Sequence, residues 1–263
     1  MNIYFFKYQG AGNDFILIDN RQKTIFLEPS QIQRLCNRHF GIGADGLILL
    51  ENSERADFKM VYFNSDGKES TMCGNGGRCI VAFAKKLGII PHNTTTFEAI
   101  DGLHYAEILQ NNLIKLQMQN VTAIEKYGND FVLNTGSPHY VRIVQNIKEV
   151  DVVKEGINIR YSDMFKEKGI NVNFLEITNQ HHILVRTYER GVENETLACG
   201  TGVTACALVL AEKSQMSAGC IDITAPGGQL KVEFEKKQGV YQHIFLIGNA
   251  DNVFKGEVEV ECV

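Results

Sequence analysis

Two short stretches that echo each other constrain this chain more than anything else in it. The first is Thr71-Met72-Cys73-Gly74-Asn75-Gly76-Gly77-Arg78-Cys79; the second is Leu197-Ala198-Cys199-Gly200-Thr201-Gly202-Val203-Thr204-Ala205-Cys206. Each sets a cysteine before Gly-polar-Gly and runs straight into an apolar, helix-like segment. One helix is expected over 75–87 and the other over 201–214. The first carries Cys79, Ile80, Val81, Ala82, Phe83 and Ala84 without a polar break; the second carries Val203 and then Ala205 through Ala211. A helix that is apolar nearly all round has to be buried nearly all round.

The rest of the chain is strand-rich, so each helix needs a sheet to bury it. Strands are expected at 2–8, 15–19, 46–51 and 57–64, then as a meander over 95–118 with turns at Asp101-Gly102 and Asn111-Asn112. The second half repeats the plan at 131–135, 139–146, 172–178, 181–188, 221–225, 229–235, 240–247 and 253–262. Ser30 is expected to cap a short helix through Arg38. The fold class is therefore α+β: two pseudo-symmetric domains, each a curved, mostly antiparallel sheet wrapped around a central buried helix. The domains are placed at 1–118 and 119–251, with the boundary in the loop around Asn120 to Asp130, and a catalytic cleft is expected between them. Gly41-Ile42-Gly43-Ala44-Asp45-Gly46 formally matches a dinucleotide fingerprint. It is rejected, because a strand-like run, Leu47-Ile48-Leu49-Leu50, follows it where that motif needs a helix.

Composition narrows the classes. A net charge of -5 gives no basic footprint for nucleic acid or an anionic membrane. No stretch approaches the roughly 20 apolar residues of a membrane helix. Met1 to Phe6 lacks a basic region and a long apolar run, so no signal peptide is expected and the protein is placed in the cytoplasm. Seven cysteines, an odd number in a reducing compartment, argue against a disulfide framework. Cys36, Cys79, Cys206, Cys220 and Cys262 are read as small buried hydrophobes.

Cys73 and Cys199 are different, because each opens a glycine-rich helix start. The first N–H groups of a helix have no internal partner, and the macrodipole makes that end positive. Gly74-Asn75 and Gly200-Thr201 are thus candidate carboxylate sites. The same field favours a thiolate over a thiol, whose free pKa is about 8.5. Two such thiols flanking a substrate Cα, one thiolate and one thiol, could invert it: one removes the α-proton and the other donates to the opposite face. Stabilisation of the planar, enolate-like transition state must then do most of the catalysis. Zinc is a weak alternative, since the Cys73–Cys79 spacing is wrong and no paired His completes a site.

Asn64-Ser65-Asp66-Gly67 leading to the first cysteine motif, and Glu189-Arg190-Gly191 leading to Glu195-Thr196-Leu197-Ala198-Cys199-Gly200-Thr201-Gly202, resemble the diaminopimelate epimerase family. Lys7-Tyr8-Gln9-Gly10-Ala11-Gly12-Asn13-Asp14-Phe15, Gly136-Ser137-Pro138-His139 and Gly169-Ile170-Asn171-Val172-Asn173 fall in that family's order, so the resemblance spans nearly the whole chain. It implies epimerisation of LL- to meso-2,6-diaminopimelate without pyridoxal phosphate or another cofactor, on the route to lysine and the peptidoglycan diamino acid. It implies Cys73 and Cys199 as the acid/base thiols, and Gly74, Asn75, Gly200 and Thr201 as donors to the reacting carboxylate. It also implies a homodimer and a last segment, 252–263, that returns to the N-terminal domain.

The remaining matched residues make chemical sense. Arg190 can meet the distal carboxylate in a two-point contact. Asn13, Asn64 and Asn171 offer amides that donate and accept, which suits a zwitterion. Their bland reading is a turn residue, strongest for Asn64; for Arg190 it is an ion pair with Glu189 or Glu193. Glu189 and His139 are candidates to tune or orient the thiols, the bland reading of His139 being a satisfied core histidine. Arg78 is read as structural. The chain departs from some members at Gly46 (Gln), Ser137 (Asn) and Met72 (acidic or Gln). Two other readings stand beside this one: a related racemase of another free amino acid, of histidine or proline type, and a thiol redox or metal-binding protein.

Overall fold

The computed structural model describes residues 1–260. The chain resolves into two compact units, Met1–Leu116 with the segment that begins at Asn249, and Gln117–Gly248. The first unit contains β1 (Asn2–Gly10), β2 (Asn13–Asp19), α1 (Pro29–Cys36), β3 (Gly46–Glu51), β4 (Phe58–Asn64), β5 (Glu69–Ser70), α2 (Gly74–Lys86), β6 (Thr94–Ala99), β7 (Gly102–Ile108) and β8 (Leu113–Gln117). The second contains β9 (Ile124–Tyr127), β10 (Asp130–Asn134), β11 (Pro138–Ile143), α3 (Val152–Arg160), β12 (Asn171–Asn179), β13 (His182–Glu189), β14 (Asn194–Thr196), α4 (Gly200–Lys213), β15 (Ala218–Ala225), β16 (Gly228–Lys237) and β17 (Val240–Asn249). The last strand, β18 (Asp251–Glu259), joins the first unit by pairing antiparallel with β1.

The two units repeat one design strand for strand. In the first, the order is β18-β1-β2-β3-β4-β6-β7-β8, with β5 as a short partner on β4. In the second it is β9-β10-β11-β12-β13-β15-β16-β17, with β14 in the same role on β13. The pairings are antiparallel except at matching places: β2–β3 and β4–β6 in the first unit, β11–β12 and β13–β15 in the second. The register equates individual residues. Phe15 opposite Gly46 corresponds to His139 opposite Asn171, and Ser70 opposite Tyr62 corresponds to Thr196 opposite Thr187. Counting on from those last pairs, Cys73 corresponds to Cys199.

Each sheet curls around its own helix. α2 packs on β1, β2, β3, β7 and β18, strands drawn from both ends of the first sheet. Its residues Gly74 through Val81, Phe83 and Ala84 are buried. α4 packs on β10 through β13 and on β15 and β16, and its residues Gly202 through Ala211 are buried. The opposite face of the first sheet is covered by α1, whose Ile32 and Leu35 meet Ile3, Ile16, Ile18, Leu47 and Leu49. β3 is therefore apolar on both faces, as its run of leucine and isoleucine requires. In the second unit α3 covers β12 and β13, where Val152 and Ile159 join Tyr140, Val172, Phe174 and Tyr188.

Some local expectations need correction. Glu28, not Ser30, is the N-cap of α1: its side chain takes the N–H of Gln31, and the Gln31 side chain returns the bond to Glu28 at 2.8 Å. Glu28 precedes a proline at N1, which fixes the helix start two residues earlier than Ser30 suggests. The loop 120–130 holds a strand, β9. Cys220 is exposed, because β15 presents alternate residues outward and Cys220 falls on the outer side. Cys36, Cys79 and Cys206 are buried. Cys262 and the end of the expected strand 253–262 lie outside the described residues.

Candidate active site

Both expected thiols stand at helix starts. Cys73 is the N-cap of α2, with extended backbone at φ -92° and ψ 132°; Cys199 is the N-cap of α4, at φ -107° and ψ 112°. The first intrahelical bonds run from Gly77 N–H to the Cys73 carbonyl (2.7 Å) and from Val203 N–H to the Cys199 carbonyl (2.9 Å). By helix geometry, the amides of residues 74–76 and 200–202 have no acceptor within their own helix, and they gather where the macrodipole is positive. Neither cysteine side chain caps its helix in the manner of Ser or Asp. Sulfur in that place is a poor cap, so its use there needs a reason other than helix stability.

In the first unit, Asn13 opens β2 and reaches the thiol. Its Oδ1 lies 3.7 Å from Cys73 Sγ and accepts from Asn75 Nδ2 at 3.3 Å, while its own Nδ2 donates to Asp45 at 2.6 Å. Next to it, burial would raise the carboxyl pKa of Asp14, but hydrogen bonds from Arg38 and Lys7 and their charges hold it at about 2. That buttress pins the strand end that carries Asn13. Asn64 is exposed at the end of β4, where its carbonyl accepts from Gly67 N–H and its own N–H donates to the Lys68 carbonyl. At Gly46 a Cβ would lie 2.6 Å from the Phe63 carbonyl and from the Tyr62 ring, so this position admits no side chain here.

In the second unit, Asn171 is 3% exposed and fully engaged: Nδ2 donates to Ser137 Oγ (2.8 Å) and to the Pro138 carbonyl (3.1 Å), and Oδ1 accepts from Arg190 N–H (2.9 Å). It ties three matched segments together. Arg190 is exposed; its Nη1 donates to the Lys168 carbonyl. The ion pair with Glu189 or Glu193 suggested by the sequence does not form among the described residues. Glu193 is engaged by Arg160, Tyr161 and Tyr188, and Glu189 accepts from Thr196. Thr201 Oγ1 lies 3.5 Å from Cys199 Sγ, and its carbonyl accepts from Thr135.

His139 is wholly buried but is not a satisfied core histidine. Asn173 Nδ2 donates to Nδ1 at 3.1 Å, so the proton of the neutral ring sits on Nε2, which has no hydrogen-bond partner. Burial, helped by the charge of Arg190, pushes its pKa down to about 3. At neutral pH the ring is a neutral donor, not a cation.

The hub of this network, Asn173, was missed in the sequence. It donates also to the Tyr140 carbonyl and accepts from Thr187 Oγ1. The signal was available: Asn171 and Asn173 are two apart on a strand and so share a face. Asn173 also explains Gly202, where a Cβ would lie 2.4 Å from Asn173 Oδ1 and 3.2 Å from Cys199 Cβ.

Comparison with known proteins bears on this arrangement. The family described as "Diaminopimelate epimerase" matches residues 5–124 and 131–253. The chain is 54% identical to a diaminopimelate epimerase of Flavobacterium psychrophilum, over 95% of this chain and 98% of that one. It is 43% identical to one from Chlorobaculum tepidum, again over 95% and 98%. Among solved structures, a PhzF-family phenazine biosynthesis protein of Bacillus anthracis superposes with a TM-score of 0.76 at 16% identity, covering 99% of this chain and all of that one. A hydroxyproline epimerase from Agrobacterium vitis superposes at 0.71 and 13% identity, covering 98% and 92%. These two share the fold. The sequence matches, which run through both helix-cap cysteines and every segment described above, settle the narrower question: the chain belongs to the diaminopimelate epimerase family.

Proposed function

We propose that this chain epimerises LL-2,6-diaminopimelate to the meso form by two thiols, without a cofactor. The observation that carries this reading is that the repeat places a cysteine at the N-cap of a buried helix twice, at equivalent residues. A thiolate takes the Cα proton, forming S–H as C–H breaks, and the electron pair spreads into the carboxylate as a planar, enediolate-like species. The second thiol then gives its proton to the opposite face and becomes the thiolate. Cys73 and Cys199 are the two bases. The amides at Gly74, Asn75, Gly200 and Thr201 hold the reacting carboxylate and take up its growing charge.

Arg190, with Asn13 and Asn64, holds the distal amino acid group, and Asn171 takes part by fixing the Arg190 backbone through its Oδ1. Glu189 and the neutral His139 set the protonation and orientation of the thiols. The product serves lysine and peptidoglycan synthesis. The enzyme works in the cytoplasm as a homodimer of two-domain chains, divided near residue 118, and needs no nucleic-acid or membrane partner; no helix among the described residues is long and apolar enough to cross a membrane.

The test is direct. Reduced, metal-free and pyridoxal-free protein should convert LL- to meso-diaminopimelate, read by chiral chromatography. Folded, reduced protein that leaves diaminopimelate unchanged and racemises proline or histidine instead would overturn the substrate assignment.

A further inference from the structure

Arg78 has no solvent exposure and heads the fully buried side chains by size. It lies in α2, one turn beyond Cys73. A guanidinium is not deprotonated in a protein, so a full positive charge is buried there. Its hydrogen bonds go to neutral acceptors: Nη1 to the Gly74 carbonyl (3.2 Å), Nη2 to Asn75 Oδ1 (3.0 Å) and Nε to the Asn249 carbonyl (3.5 Å). Among the described residues no carboxylate lies within ion-pair distance of it. Asp14 on β2 is taken by Lys7 and Arg38, and Asp251 on β18 by Gln9. Tyr8 on β1 stays neutral, burial pushing it up to about 12, and burial likewise raises Cys79. A buried cation without a counter-anion is costly, and such costs are kept where an anion arrives or forms.

We propose that Arg78 is a positioning residue of the first half-site whose charge makes Cys73, rather than Cys199, the thiolate of the resting enzyme. The inference rests on the two-thiol reading above. The repeat supplies the contrast. Counting on from the equivalent cysteines, Arg78 corresponds to Thr204, whose hydroxyl donates to the Gly200 carbonyl at 2.9 Å. Both side chains satisfy the first carbonyl of their helix, but only Arg78 brings a buried charge; in the second unit the cation that reaches His139, Arg190, is exposed and follows the carboxylate of Glu189 in the chain. It also sets an amide. Because Arg78 can only donate, Asn75 must turn Oδ1 inward to it and Nδ2 outward, toward Asn13 beside the thiol. Burial adds to the asymmetry, Cys199 being 7% exposed and Cys73 half-buried. The Asn13 oxygen beside Cys73 opposes it, a single amide dipole against a full charge.

The test is the pH dependence of iodoacetamide alkylation of the native chain, each cysteine read by peptide mass spectrometry. Cys220, exposed, serves as the reference thiol; Cys36, Cys79 and Cys206, buried, report unfolding. In the unaltered protein Cys73 should ionise at lower pH than Cys199. Arg78→Gln should raise the Cys73 midpoint by about one pH unit or more and leave that of Cys199 in place. Arg78→Lys, which keeps the charge, should retain most of the lowering. Cys199 ionising first in the unaltered protein, an unmoved Cys73 in Arg78→Gln, or Arg78→Lys behaving like Arg78→Gln would overturn the proposal. If Arg78→Gln exposes Cys79 and so has unfolded, the order in the unaltered protein and the Arg78→Lys midpoint decide. Epimerase activity is measured separately: midpoints as stated with no turnover of diaminopimelate would fault the substrate reading and leave Arg78 standing.

Discussion

Gly76 and Gly202 hold equivalent places in α2 and α4, yet alanine at the two should behave very differently. In an exposed helix interior, Gly→Ala stabilises by roughly 0.5–1 kcal/mol. At Gly76 the new methyl would meet Ile48 Cδ1 at 3.3 Å, Met60 Cε at 3.4 Å and Phe15 at 3.5 Å, mostly the ends of side chains that can yield. The helix gain and the packing strain then nearly cancel, and the net change should lie within about 1 kcal/mol of zero.

At Gly202 the methyl would sit 2.4 Å from Asn173 Oδ1. Asn173 cannot step aside freely, since it is bonded to His139, Tyr140 and Thr187 in the buried interior. Overpacking costs about 1–3 kcal/mol, and a buried polar group stripped of its partner about 1–3 kcal/mol more. After the helix gain, Gly202→Ala should lose about 2–4 kcal/mol in urea unfolding of the purified protein. It should also lose activity, because the same clash moves His139 and presses on Cys199. A Gly202→Ala protein as stable as the parent, or a Gly76→Ala protein equally damaged, would refute the reasoning.

Other outcomes follow from the same geometry. Arg190→Ala should lower kcat/KM on diaminopimelate by about 2–5 kcal/mol of transition-state binding, the range for removing one partner of a charge pair that bound substrate shields from water; an unchanged value would remove Arg190 from the distal carboxylate. For His139, the unfolded ring takes a proton below about 6.5 and the folded one only near 3. Acid therefore favours unfolding across that window, by about 2 kcal/mol at pH 5. His139→Phe, the residue that stands at the equivalent Phe15, should flatten the stability curve between pH 6.5 and 4; a slope unchanged by the substitution would contradict the burial argument. Asp14 runs on a lower window: its contribution is complete above the unfolded pKa of about 3.9 and is lost as pH falls toward 2. Asp14→Asn should cost about 1–2 kcal/mol at pH 7, discounted for the exposure of Arg38, and much less at pH 2.

The features most legible in the sequence were those fixed by local chemistry. The glycine-rich starts of α2 and α4, their unbroken apolar runs and the alternation of the longer strands all point to the observed elements. The dinucleotide fingerprint at 41–46 fails as expected, with β3 following it. What stayed hidden depends on partners distant in the chain. α3 contains Gly156, which reads as a helix breaker; it is required because a Cβ there would lie 2.4 Å from the Tyr188 ring. Its one local signal, Asp151 accepting from Lys154 N–H, is a capping pattern that stands before a weak helix former. β5, β9 and β14 are too short to show a period. The two-fold plan was legible, but its strand-by-strand correspondence was not, because one position in the first sheet is filled by β18 from the far end of the chain. The engagement of Asn171, the bond from Arg190 to the Lys168 carbonyl and the lone Nε2 of His139 are matters of tertiary contact that no residue pattern carries.

The central claim is that two different thiols handle the two proton transfers. Its most direct test is the conversion of LL-diaminopimelate in D2O, followed from the first turnovers by mass spectrometry of both stereoisomers. Two bases predict that newly formed meso product carries one solvent deuterium at the inverted carbon while unreacted LL substrate stays protiated, and that Cys73→Ser and Cys199→Ser each abolish the inversion. Early meso product that keeps the substrate's own hydrogen would mean a single base serving both faces, and would contradict the account.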